Sequence, residues 1–168
     1  KKIILVSYHP VTLEKNKSKF QIANLIKFLK TQSDSIIIFT SPNFDNETNI
    51  IKKEILNYVK KTKNTYYFNS LGNKGYMSFL KIAHLLVGNS SSGLLETPYF
   101  GTKTINIGNR QNGRILSPNI INSDYEFKSI YGNYLKIKNK TKKKSNIFAK
   151  KNTPIKIAKK ILNFKFKL

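Results

Sequence analysis

The chain has 168 residues, 39% of them hydrophobic, enough for a single globular domain with its own core. It contains no cysteine, which excludes a disulfide framework and a thiolate zinc site, and no apolar run reaches the roughly 18 residues of a membrane span. The net charge of +23 suggests a nucleic-acid binder, but only Arg110 and Arg114 are arginines; the rest is lysine among Asn and Ile, the signature of A/T-rich codons rather than of a dedicated reader of phosphates and bases.

Short β-branched runs alternate with longer amphipathic segments. Residues 3–8 read as a strand, followed by a helix over residues 15–31 with Phe20, Ala23, Ile26 and Leu29 near helical spacing. Strands are predicted at 35–40 and 65–69, with a helix over 47–61 between them. A short helix at 75–83, a strand at 84–88, a helix at 93–100 and a strand at 102–107 continue the alternation. Apolar strands separated by helices imply an α/β fold, a Rossmann-like parallel sheet with helices on both faces. Beyond Gly108 the pattern loosens: a helix at 124–131, a short edge strand at 135–138, and a solvated lysine-rich loop at 139–146. A last helix is signalled by Thr153 as N-cap and Pro154 at its first position, with Ile157, Ala158, Ile161 and Leu162 expected to pack on the domain. Residues 1–168 therefore read as one domain. The start at Lys1 rather than Met leads to the expectation of a longer polypeptide, and the lack of cysteine suits a cytoplasmic protein.

Ligands of doubly wound sheets bind outside the carboxyl ends of the strands. Here those ends carry His9, then Ser41-Pro42-Asn43, Ser70, Asn89-Ser90-Ser91-Ser92-Gly93 and Asn109-Arg110-Gln111. The joint placement of hydrogen-bonding residues along one sheet edge suggests one polar ligand. The Val87–Glu96 stretch, VGNSSSGLLE, is a loop of small residues leading into a helix, which suits a phosphate cradle or plain helix capping. It lacks the Gly-x-Ser-x-Gly order of a nucleophile elbow. Glu96 reads either as dipole stabilisation or as an acceptor for ribose hydroxyls. Arg110, in a lysine-saturated chain, suggests bidentate anion recognition, against a structural role on loop carbonyls.

Three stretches, Tyr8–Thr12 (YHPVT), Phe39–Asp45 (FTSPNFD) and Asn69–Arg114, resemble the C-terminal half of UDP-N-acetylglucosamine 2-epimerases. The GNSSSG…E and GxRQxGR forms between Val87 and Arg114 resemble the hydrolysing branch, which makes N-acetylmannosamine and free UDP for sialic-acid-type pathways. The similarity is clear over residues 1–121 and fades in the tail. It implies the C-terminal domain of a GT-B architecture, with UDP between two Rossmann-like domains. By resemblance, His9 lies near the diphosphate and the reacting sugar, Asn43 hydrogen-bonds the nucleotide, and Tyr76 lies near the uracil. Ser90 and Ser91 bind the diphosphate, Glu96 the ribose hydroxyls and Arg110 the phosphate region.

The implied chemistry is proton abstraction at the sugar C2, anti-elimination of UDP and addition of water, with the C2 acids and bases in an N-terminal Rossmann-like domain. Neither cofactor nor metal is expected, and relatives commonly form homodimers. Three alternatives remain. One is the same half of an epimerase acting on a UDP-2,4-diacetamido-trideoxyhexose. The second is a GT-B glycosyltransferase, disfavoured because Glu96 is the only acidic candidate in the donor-binding stretch. The third is a non-catalytic lysine-rich binder of nucleic acid or membrane surfaces.

Overall fold

The computed structural model of the protein describes residues 1–148 and 151–164. In chain order the elements are β1 (Lys2–Ser7), α1 (Ser18–Lys30), β2 (Ser35–Thr40), α2 (Thr48–Lys61), β3 (Thr65–Phe68), α3 (Gly72–Ile82) and β4 (Leu85–Gly88). The one-turn helices α4 (Ser92–Leu95) and α5 (Thr97–Phe100) follow, then β5 (Lys103–Ile107), β6 (Ile120–Ser123), α6 (Phe127–Ile137) and α7 (Thr153–Leu162). Among the described residues, six strands form one parallel sheet in the order β3-β2-β1-β4-β5-β6.

Strand alternation sorts the side chains into two cores. Ile4, Val6, Ile37, Phe39, Val87 and Ile105 face α1, α2 and α6. Leu5, Ile38 and Leu86 face α3 through Leu80 and Ala83. Each of the buried Val, Leu, Ile and Phe side chains among these contributes about 1.5–3 kcal/mol relative to exposure, so both sheet faces are committed. The strand order reverses between β1 and β4, which opens a crevice at the carboxyl ends of these two strands.

Several expectations are corrected. The sheet gains a sixth strand, Ile120–Ser123, in register with β5 from Thr104↔Ile120 to Ile107↔Ser123. Residues 135–137 of the expected edge strand belong instead to α6, because Ile130, Tyr134 and Ile137 at helical spacing meet the core, with Tyr134 edge-on to Phe28 at 5.4 Å. The buried stripe of α1 is Ile22, Leu25, Ile26, Phe28 and Leu29, leaving Phe20 54% exposed. The helix expected at 93–100 breaks into α4 and α5, since Pro98 has no N–H to continue the ladder. Thr153 is the first residue of α7, and Asn152 is its cap in left-handed conformation. All of α7 is exposed rather than packed: with both sheet faces covered, the domain offers its apolar stripe no open core.

Candidate functional site

The crevice is built around a close crossing of two strands. β4 ends at Gly88, whose φ of +149° and proximity to β1 both require glycine; a Cβ there would lie 2.0 Å from the Ser7 carbonyl oxygen. This approach sets the loop after β1 beside the loop after β4, and the Asn89 N–H donates to the Ser7 carbonyl at 3.1 Å. The Asn89 side chain completes the join, accepting the His9 N–H at 2.7 Å and donating to the His9 carbonyl at 2.8 Å. From the far side, Arg110 Nη1 and Gln111 Nε2 donate to the Asn89 carbonyl at 3.2 and 2.9 Å.

His9, Asn43, Tyr76, Ser90 and Glu96 line one cleft of about 400 Å³ at this edge. Two of the residues predicted from sequence do not line it. The Ser91 carbonyl accepts the Leu94 and Leu95 amides, which commits that carbonyl to α4. Arg110 stands behind Asn89. In place of Ser91 the cleft presents Ser92, whose hydroxyl is hydrogen-bonded to the Tyr76 hydroxyl and lies 3.2 Å from the Ser90 Oγ. Ser90 Oγ also accepts the Ser92 N–H at 3.4 Å. A larger opening of about 870 Å³ continues past Asn43 along the loop between β2 and α2, with Asp45 and Lys52 among its lining residues.

The electrostatics of the cleft set His9 apart from Glu96. His9 is buried, and burial together with the Arg110 charge lowers its pKa to about 4, so the imidazole is neutral at pH 7. Its Nδ1 accepts the Asn43 N–H at 3.0 Å, which leaves the ring proton on Nε2, 3.5 Å from Ser7 Oγ. Glu96 sits at the junction of α4 and α5, where burial raises its pKa, and its Oε2 is buried without a hydrogen-bond partner. Such an oxygen has lone pairs open to a hydrogen-bond donor. Glu96 is both the C-cap of α4 and the N-cap of α5 and makes no side-chain capping bond, so it is not a first-turn carboxylate of one continuous helix.

The sequence places Asn89 and Ser92 among the strand-end residues but gives neither a role of its own. Three consecutive serines carry no internal signal of which one meets the cleft, and the Asn89 contacts span 80 residues.

A sequence model of the UDP-N-acetylglucosamine 2-epimerase family matches residues 1–162. The chain is 41% identical over 125 residues to a GDP/UDP-N,N'-diacetylbacillosamine 2-epimerase (hydrolyzing) of Campylobacter jejuni, covering 74% of this chain and 33% of that protein. It is 36% identical over 124 residues to a UDP-N-acetylglucosamine 2-epimerase of Neisseria meningitidis, covering 74% and 32%. The chain thus spans about a third of the length of the curated relatives it matches. In fold it matches the Methanocaldococcus jannaschii UDP-GlcNAc 2-epimerase solved with UDP-GlcNAc and UDP, at a TM-score of 0.77 and 15% identity, over 98% of this chain and 46% of that one. That is the fold of one half of a GT-B architecture. With the family pattern running through all but its last residues, the chain belongs to the UDP-N-acetylglucosamine 2-epimerase family.

Proposed function

We propose that this chain is the nucleotide-binding half of a hydrolysing UDP-N-acetylglucosamine 2-epimerase, which converts UDP-GlcNAc and water into N-acetylmannosamine and UDP. The observation that carries the reading is the unpartnered, buried Oε2 of Glu96 on a cleft that also holds Ser90, Tyr76 and a neutral His9. A nucleotide completes this arrangement in one pose. Ribose hydroxyls donate to Glu96, the uracil lies toward Tyr76, and Asn43 hydrogen-bonds the nucleotide. The diphosphate reaches the loop of Ser90 and Ser91, with His9 at its sugar end and the Arg110 charge behind it.

The work of this half is leaving-group stabilisation. As the bond from the sugar C1 to UDP breaks, negative charge grows on the diphosphate, and preorganised donors and a fixed cation favour that charge over the ground state. His9 contributes a hydrogen bond from Nε2 rather than a charge. The acids and bases that act at C2 come from an N-terminal Rossmann-like domain, and the assembly is a homodimer.

Calorimetry at physiological salt tests the reading against its rivals, with UDP, GDP, DNA and anionic vesicles as ligands. UDP binding that falls at least tenfold on Arg110→Ala and on Glu96→Ala is the expected result. Binding confined to DNA or vesicles, and abolished by salt, would sink it. Residues 1–168 alone are expected to bind UDP weakly and release no sugar, so turnover by them would refute the division of labour.

A second reading changes the sugar only. The Campylobacter relative is named for N,N'-diacetylbacillosamine, and it matches at 41%. Product analysis with both UDP-sugars on the whole protein decides between the two.

A further inference from the structure

We propose that Asn89 is the positioning residue of the site, fixing the spacing of His9, Ser90 and Arg110 through its side-chain amide and its backbone carbonyl. The inference rests on the nucleotide reading above and extends it to a residue that need not touch the ligand.

Asn89 is fully buried, and its hydrogen bonds join three strand ends. Its amide closes a two-bond ring with the His9 backbone, at 2.7 Å to the N–H and 2.8 Å to the carbonyl. Its N–H holds the Ser7 carbonyl at 3.1 Å, and its carbonyl accepts both Arg110 and Gln111. Ser90, the next residue, therefore starts from a point pinned to β1 and to the loop after β5. The ring needs one acceptor and one donor on a short side chain. Aspartate supplies two acceptors and sets a carboxylate oxygen against the His9 carbonyl; alanine supplies neither. The Asn89 carbonyl accepts the Arg110 guanidinium at 3.2 Å whatever the side chain at 89, so a side-chain variant acts on Arg110 through the shift of the backbone that the ring to His9 holds.

The test uses Asn89→Ala and Asn89→Asp in the whole protein. A positioning role predicts a loss confined to the phosphates: UDP affinity falls about 10–100-fold, while uridine, held by Tyr76 and Glu96, stays within about twofold. General destabilisation would weaken both ligands alike. Asn89→Asp adds a signature of its own, because a protonated carboxyl again offers one acceptor and one donor. Its deficit relative to wild type should narrow as pH falls, whereas the Asn89→Ala deficit should not.

A third readout needs no ligand. The charged groups acting on His9 are Arg110 and Asp45, and an NMR titration of its imidazole should fall near 4 in the wild type. Release of the clamp admits water and moves that titration toward 6.5. A wild type that binds no UDP would overturn the nucleotide reading, and the His9 titration would still decide the role of Asn89. Equal weakening of UDP and uridine, or a His9 titration left near 4 in both variants, overturns the proposal.

Discussion

Gly88 passes so close to Ser7 that a methyl group at its Cα would stand 2.0 Å from the Ser7 carbonyl oxygen. Two independent costs therefore attend Gly88→Ala: a residue with a side chain forced to φ of +149°, and a backbone clash at the center of the sheet. We expect a loss of at least about 2 kcal/mol in urea unfolding. Gly132→Ala is the control. Gly132 lies within α6 with open space around it, so alanine should stabilise by about 0.5–1 kcal/mol.

The Glu96 carboxyl carries a pH signature. Burial raises its pKa, so folding favors the protonated acid, and the domain loses stability as pH rises from the unfolded value of 4.5 through the folded one. Glu96→Gln should therefore stabilise the free protein above that window and change nothing below it. Uridine binding should run the opposite way, because the carboxylate is the form that accepts ribose hydroxyls. Its affinity should rise with pH through the same window, and Glu96→Gln should lower it by about tenfold at pH 7.

His9 titrates with the opposite sign. Its folded pKa of about 4 lies below the ordinary 6.5, so the neutral ring is the native form. The stability it contributes is full above pH 6.5 and is lost as pH falls toward 4, by roughly 3 kcal/mol in all. Unfolding measured between pH 4 and 7 should show this slope, and His9→Gln should flatten it. UDP binding should show no His9 titration between pH 6 and 8.

The exposure of α7 separates it energetically from the domain. In the 168-residue chain, Ile161→Lys should shift unfolding free energy by no more than about 0.5 kcal/mol, since Ile161 is 68% exposed. Ile137→Ala, in the buried stripe of α6, should cost about 2–5 kcal/mol. A large effect of Ile161→Lys would place α7 in the core.

The central strands were legible because a parallel strand buried on both faces is a nearly continuous apolar run, and SIIIFT or KIILVS has no competing reading. β6 was not legible. IINS is four residues long, half polar, and becomes a strand only when β5 lies beside it. The α1 stripe was misassigned because Phe20 and Ile22 both fit a helical period, and only the position of the sheet selects between them.

The site divides in the same way. Sequence by itself determined the class of the protein and the strand ends that carry polar groups, because hydrophobic periodicity and the GNSSSG and GxRQxGR patterns are local properties of the chain. Tertiary structure decided which of those groups meet. It set Ser92 rather than Ser91 against Tyr76, placed Arg110 behind Asn89, buried His9 into neutrality and left Glu96 Oε2 without a partner. Each of these depends on contacts between residues far apart in the chain, and burial and hydrogen-bond partnership exist only after the sheet has brought them together.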